Sequence, residues 1–264
     1  MQPHYYEEYY AVEESHWWFR ARRRILRTVL EREGLWGRGL RAVDVGSGTG
    51  RMVEFLAGGM RITATDFEME ALRFAAKRGT ASLVQADALR LPFRDASIEL
   101  LSAFDIIEHL DDDRAALAEF RRVLRPGGYC VATVPAFRSL WSEHDEINHH
   151  RHRYRRRELR ARFAEAGFTV TRCSYFNSLL FLPVAAFRVA RRALARVVDT
   201  SRRDAMGRLR SDLSLVPSPI LSGPITRLLE AVMGAEARIL ARADLPVGVS
   251  IVCLARREGG APSA

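Results

Sequence analysis

With 264 residues, 48% of them hydrophobic and 28% charged, the chain has the composition of a folded globular protein with one substantial core, which excludes a disordered polymer. Its formal net charge is +9, but Lys77 is the only lysine, and so arginine-heavy a skew is discounted as a sign of nucleic-acid binding. Cys130, Cys173 and Cys253 are odd in number and far apart, which excludes a zinc-type spacing and makes buried free thiols in a reducing compartment the expectation.

In chain order, residues 1–14 are polar, aromatic and acidic and lack the order of a secretory signal, so a cytoplasmic protein is expected. Residues 16–32 read as a helix, with Trp18, Ile25 and Val29 at helical spacing and arginines on the opposite side. After the breaks at Gly34, Gly37 and Gly39 the pattern alternates: strand 40–45, helix 50–56, strand 62–65, helix 69–77, strands 82–85 and 98–104, helix 114–124 and strand 129–134. That alternation predicts an α/β fold, a Rossmann-like and mostly parallel seven-stranded sheet with helices on both faces. Helix 157–165 and strand 168–175 follow, and a last strand, 249–255, is expected to close the sheet. Between these two strands lies a helical insertion with helices at 179–198 and 225–242, punctuated by Pro217, Pro219 and Pro224. The expected division is an N-terminal helical cap at 1–39, a core at 40–175 with 246–258, an insertion or lid at 176–245, and a disordered tail at 259–264. The longest nearly uncharged apolar stretch, 179–187, is shorter than the about 20 residues that span a bilayer.

The main chemical signal is Val43-Asp44-Val45-Gly46-Ser47-Gly48-Thr49-Gly50 at the end of the first strand. Glycines there let the backbone turn sharply and approach a ligand closely. A dinucleotide fingerprint would want glycine at position 51, where this chain has Arg51, and Asp44 would repel a pyrophosphate but suit a ligand ammonium. Asp66 ends the second strand 20 residues after Gly46, where a carboxylate can accept from both ribose hydroxyls; Asp87 follows the third strand, where one can accept from an adenine amine. Phe67 could pack on the adenine face. The competing reading is that such strand-end acids cap the helices that follow them.

Taken together, Asp44–Gly50, Thr65-Asp66, the run from Ala86 through Asp87 and Ala88 to Phe93, and Leu124-Arg125-Pro126-Gly127-Gly128 resemble the successive motifs of class I S-adenosylmethionine-dependent methyltransferases of the bacterial small-molecule, lipid and glycan type. The resemblance covers about 40–167. It implies S-adenosyl-L-methionine as cofactor, with Gly46, Ser47, Gly48 and Phe104 along the methionine moiety. It further implies Asp44 on the ammonium, Asp66 on the ribose, and Asp87 with Ala88 at the adenine edge.

Three features bear on the acceptor. His16-Trp17-Trp18-Phe19 resembles the helix preceding the core in this family and would shield the methyl group, or else its tryptophans are core anchors. His144, His149, His150 and His152 fall within nine residues after the fifth strand, at the sheet end where loops form a ligand crevice. His150 with Arg153 and Tyr154 is similar to a His-x-x-Arg-Tyr segment of the subgroup, which makes His150 the first candidate base, with His109 and Tyr154 as further catalytic candidates. The alternative is a solvated basic loop. Asp105-Ile106-Ile107-Glu108-His109 is also similar to a segment of metal-dependent ubiquinone-pathway and small-RNA 2′-O-methyltransferases. Because aspartate stands where that segment has glutamate, no metal is assigned; the alternative has residues 105, 108 and 109 and a later histidine holding a divalent ion.

The reading is a methyltransferase acting by O-methylation on a small molecule, lipid or glycan, with peripheral membrane contact through 176–200 as a candidate partner interaction and nucleic acid not expected. The rivals are an RNA methyltransferase, a non-catalytic cofactor-binding module with a basic membrane or RNA surface, and a nicotinamide oxidoreductase, against which Arg51 and Asp87 argue.

Overall fold

The strands β1 (Leu40–Val45) and β4 (Ile98–Phe104) bury residues on both faces, as central strands of a helix-covered parallel sheet must. The computed structural model describes residues 3–79, 82–197 and 223–259. Around these strands run α1 (Pro3–Val12), α2 (Trp17–Arg32), α3 (Arg51–Ala57), β2 (Met60–Asp66), α4 (Met69–Ala76) and β3 (Ser82–Gln85). They are followed by α5 (Asp113–Val123), β5 (Leu124–Pro135), α6 (Glu143–Ile147), α7 (Arg156–Glu165), β6 (Phe168–Phe176), α8 (Phe181–Val197), α9 (Pro224–Leu240) and β7 (Ser250–Arg257). Short 3-10 turns stand at Ile107–His109 and Arg138–Leu140.

The sheet order is β3-β2-β1-β4-β5-β7-β6. β1 pairs in parallel with both β2 and β4, so the direction of winding reverses between β1 and β4. That reversal opens a crevice at the carboxyl ends of the strands. The last strand joins the sheet as expected, and it does so from inside. β7 lies antiparallel between β5 and β6, leaving β6 outermost. An antiparallel strand there needs no crossover helix to return the chain.

One face is packed by Ile25, Leu26, Val29 and Leu30 of α2, Val53 and Leu56 of α3, and Met233, Ala237 and Leu240 of α9. The other is packed by Leu117, Phe120 and Val123 of α5 and Leu159 and Phe163 of α7. Thus α9, expected in a lid, is part of the core layer. Its buried Glu236 accepts the amides of Asn177, Ser178 and Leu179 and fastens the helix to the end of β6. The sequence pattern did not mark α1, which lies on α4 through Tyr6 and Tyr10 against Phe74. His16 caps α2, its Nδ1 accepting from Trp18 N at 3.2 Å, and Trp17 and Trp18 pack against the core, Trp18 stacked on Phe176. Residues 198–222 of the insertion, including the expected lid stretch 213–220, and residues 260–264 of the tail lie outside the described residues. No helix among the described residues is long and apolar enough to cross a membrane.

Candidate active site

The loop leaving β1 is shaped by glycines in the left-handed region: φ is +72° at Gly46, +53° at Gly48 and +83° at Gly50. The amides of Gly46 and Ser47 donate to the Thr65 carbonyl at 2.8 and 2.9 Å, docking the loop on β2. Gly48 N donates to Asp66 Oδ2 at 2.8 Å. A Cβ at Gly46 would stand 2.0 Å from Cδ1 of Ile106, so bare backbone is what lets Ile106 pack there; at Gly48 a Cβ would meet nothing within 4 Å. The first glycine is needed for packing and the second borders open space. The Ser47 hydroxyl is buried without a hydrogen-bond partner.

Three carboxylates stand at or just beyond the ends of β1, β2 and β3. Asp44 is buried at the end of β1 and accepts from the Ser102 hydroxyl on β4. Burial pushes its carboxyl up to about 7, against the lowering effects of Ser102 and the Arg22 charge. Asp66 accepts from Gly48 N through Oδ2 and from Glu68 N, 2.9 Å away, through Oδ1. It therefore organises the loop and the start of α4, while each oxygen keeps a lone-pair site. Asp87 is exposed and accepts from Leu89 N at 2.9 Å, and Ala88 is half-buried against the core. Phe67 is 66% exposed and Leu89 40%, two large apolar side chains left in solvent beside the ends of β2 and β3. An open glycine cradle, an unsatisfied hydroxyl, a buried acid for an ammonium and apolar surface for a flat ring fit S-adenosylmethionine. Phe104 is buried at the end of β4, in the core cluster on the α2 side of the sheet.

Arg22, which lies over Phe104, was missed. It falls on the same stripe as Trp18, Ile25 and Val29, not on the outer face of α2, and is buried. Its guanidinium reaches Asp105 Oδ2 at 2.7 Å and Thr133 Oγ1 at 2.9 Å and lies over the Phe104 ring. An arginine at apolar spacing was the available signal. Glu13, also missed, is largely buried and bonds the Thr49 hydroxyl and Arg78, so the N-terminal segment folds onto the glycine loop.

A cluster of histidines and acids is built by the turn after β4 and the loop after α6. His150 Nδ1 lies 2.9 Å from Asp145 Oδ1. Asp145 is fully buried and gripped by Arg153, whose Nε and Nη2 reach its two oxygens at 2.6 and 3.1 Å. Burial alone would raise the Asp145 carboxyl, but His150, Arg153 and the Ser142 amide together hold it well below the ordinary carboxylate range. His109 stands edge-to-face to His150, ring centroids 4.6 Å apart, and burial with the neighbouring His150 lowers it to about 4. Glu108 is fully buried, and neither carboxylate oxygen has a hydrogen-bond partner. Burial, with Asp105 nearby, pushes it well above its usual value.

Of the catalytic candidates, His109 and His150 come together and Tyr154 does not join them. Tyr154 is buried in the core through a bridge to Ala136, and its hydroxyl donates to Asp113 Oδ2 at 2.9 Å. Asp105 also departs from the expected ligand set. Its φ is +54°, and its carboxylate is held by Arg22 and Thr133.

The family model described as a methyltransferase domain matches residues 43–132, from β1 into β5. An O-methyltransferase of Aspergillus nomiae, rstn1, is 35% identical over 99 residues, 34% of this chain and 44% of that protein. A demethylmenaquinone methyltransferase of Corynebacterium urealyticum is 32% identical over 113 residues, 40% of this chain and 49% of that protein. The chain spans about half the length of the curated relatives it matches. Phosphoethanolamine N-methyltransferase 2 of Haemonchus contortus, solved with S-adenosyl-L-methionine, superposes with a TM-score of 0.55 at 16% identity, covering 88% of this chain and 51% of that one, a likeness of fold.

Proposed function

We propose that this chain, which carries a class I S-adenosylmethionine-dependent methyltransferase domain, transfers the cofactor's methyl group to an oxygen of a small-molecule, lipid or glycan acceptor. The observation that carries the reading is the placement of an oriented histidine, His150 on buried Asp145, at the same sheet end as the Gly46–Gly48 cradle. The cofactor supplies an electrophilic methyl on a sulfonium.

The protein's own work is alignment, exclusion of water and handling of a hydroxyl proton. Asp44 would orient the ammonium, Asp66 the ribose hydroxyls, and Asp87 with Ala88 the adenine edge, with Phe67 across the ring. Ile106, seated on Gly46, and buried Phe104 restrict water near the methionine end. On the acceptor side, Asp145 holds the proton on His150 Nδ1, which leaves Nε2 free to accept one from a hydroxyl. His109 is neutral at physiological pH and shapes the same space. We assign Tyr154 to packing.

An apolar acceptor is favoured by the beginning of α8, where Leu182 and Phe187 are exposed and Phe181 packs on Phe137, just beyond β5. That surface is also our candidate for peripheral membrane contact through 176–200.

The test is calorimetric titration with adenosylmethionine and adenosylhomocysteine, with NAD as control, followed by transfer of labelled methyl to phenolic, lipid and glycan hydroxyls. Binding of the first two alone, with label on oxygen, is the expected result. Binding without transfer to any acceptor, or label appearing in structured RNA, would move a rival to the front.

A further inference from the structure

A cavity of about 280 Å³ lies beside the end of β5, lined by the Arg138–Leu140 turn and the residues that lead into α7. That volume is at the small end of ligand clefts and suits a compact head group. Its walls are cationic. Arg138 and Ser139 come from the turn and Arg155 from the start of α7, and among the described residues no carboxylate pairs with either guanidinium. Glu158, the acid of the lining, is occupied: its Oε1 lies 2.7 Å from His152 Nε2, and its Oε2 accepts from Arg155 N at 3.3 Å. Arg153 is buried in the wall, donating to both oxygens of Asp145 and to the Ala136 carbonyl. Asp145 balances its charge, which leaves Arg138 and Arg155 as the unbalanced cations. Phe137, also in the lining, has φ +55°, a left-handed backbone that a bulky aromatic rarely adopts. Its amide donates to the Tyr154 carbonyl and its carbonyl accepts from Leu140 N, both at 2.9 Å, so the strain is held in place. Its ring stacks on Tyr175 and meets Phe181, which joins the cavity to the start of α8, where Leu182 is exposed. The methyl-transfer reading uses none of Arg138, Ser139 and Arg155.

We propose that this cavity binds the phosphate group of a phosphate ester through Arg138, Ser139 and Arg155. Guanidinium forks match phosphate oxygens pairwise, and the serine hydroxyl can donate to a further one. A phosphate offers more acceptor oxygens than a carboxylate to two forks and a hydroxyl together. The cavity also backs onto the candidate base, since Arg153 in its wall grips Asp145, which orients His150. That the ester is the methyl acceptor rests on the proposed O-methylation. The phosphate binding itself does not rest on that reading.

The experiment is calorimetric titration with phenyl phosphate, with phenol as uncharged control, and with dodecyl phosphate below its micelle concentration, alongside a separate titration with adenosylhomocysteine. Both phosphates should bind and phenol should not. Arg138→Ala and Arg155→Ala should each weaken phenyl phosphate binding by about tenfold or more, and Ser139→Ala by less, while adenosylhomocysteine affinity stays within a few-fold. All three side chains are exposed, so these variants should fold. Arg160→Ala removes an exposed arginine of α7 outside the cavity lining and should change phosphate binding by less than about twofold. No phenyl phosphate binding, or equal weakening by Arg160→Ala and Arg138→Ala, overturns the proposal. Dodecyl phosphate binding about tenfold or more tighter, with the gain lost in Leu182→Ser, supports the site and makes its ligand an amphiphile. Equal affinity for the two phosphates supports the site and makes its ligand a water-soluble ester. Phosphate binding lost in the variants, with no adenosylhomocysteine binding, supports the site and removes the methyltransferase reading. Adenosylhomocysteine binding and methyl transfer by protein that binds neither phosphate do the reverse.

Discussion

His150 Nδ1 stands 2.9 Å from Asp145 Oδ1, so a fully buried carboxylate decides which ring nitrogen carries the proton. Arg153 binds both oxygens of the same carboxylate, which ties His150 to the fold through Asp145.

Replacing Asp145 by asparagine should therefore act in two ways. The amide can donate to Nδ1 and so present the wrong tautomer, and methyl transfer should fall by about 100-fold or more with cofactor affinity unchanged. The lost charge also leaves Arg153 buried and unpaired, at a cost of about 3–5 kcal/mol in stability. The pH sign follows from a carboxyl held below its ordinary 3.8 in the folded protein. Its stabilising contribution is full above that value and disappears as pH falls through the folded value. Thermal midpoints between pH 6 and strongly acidic buffer should drop less steeply in Asp145→Asn than in the wild type; parallel curves would contradict the assignment.

Asp44 has the opposite sign. Its folded value of about 7 lies above the ordinary 3.8, so the charged form works against folding, increasingly so from pH 3.8 to 7 and constantly above. An incoming ammonium favours that charged form. Adenosylhomocysteine binding should expel a proton below pH 7, and its Kd should rise by up to about tenfold for each unit of further acidification. Asp44→Asn should bind the ligand weakly and without this pH dependence, yet be more stable than wild type at pH 8 when ligand-free. Calorimetry in buffers of different ionisation enthalpy counts the proton. Affinity that does not change between pH 8 and 6 would remove Asp44 from the ammonium role.

Gly48→Ala separates the cofactor space from the fold. A Cβ there meets nothing within 4 Å, so the expected stability cost is only the left-handed backbone penalty at φ +53°, about 1–2 kcal/mol. The added methyl projects into open space over the loop, and adenosylmethionine affinity should fall by far more than that penalty explains. A variant that is slightly destabilised but binds the cofactor normally would show that the ligand does not approach at Gly48.

The parts of this site legible in the sequence are those written next to a strand end. The Gly46–Gly50 turn, Asp44, Asp66 and Asp87 each follow a recognisable run of β residues, and spacing along one chain is enough to place them. Arg22 was not legible because charge was taken to mean the outer face of α2, although its spacing to Trp18 and Ile25 puts it on the apolar stripe. Asp145 was invisible as a functional group because its partners, His150 and Arg153, turn towards it only when the chain reverses after α6. The lateral place of β7 is likewise absent from a linear reading, since chain order says nothing about which neighbours a returning antiparallel strand takes.

Tyr154 shows the same limit from the other side. Beside four histidines in sequence it looked like chemistry, but the bridge between Tyr154 and Ala136 turns the ring into the core, and its hydroxyl donates to Asp113. Burial first, then the Asp113 charge, raises the phenol far above its ordinary 10, so it stays protonated at any working pH. Tyr154→Phe keeps the ring and deletes one hydrogen bond to a carboxylate. The expected cost is about 1.5–3 kcal/mol of stability. Turnover measured well below the melting transition should change by less than about threefold, since a loss confined to stability leaves the folded fraction intact. A fall of 100-fold or more in kcat with unaltered melting would return Tyr154 to the catalytic set.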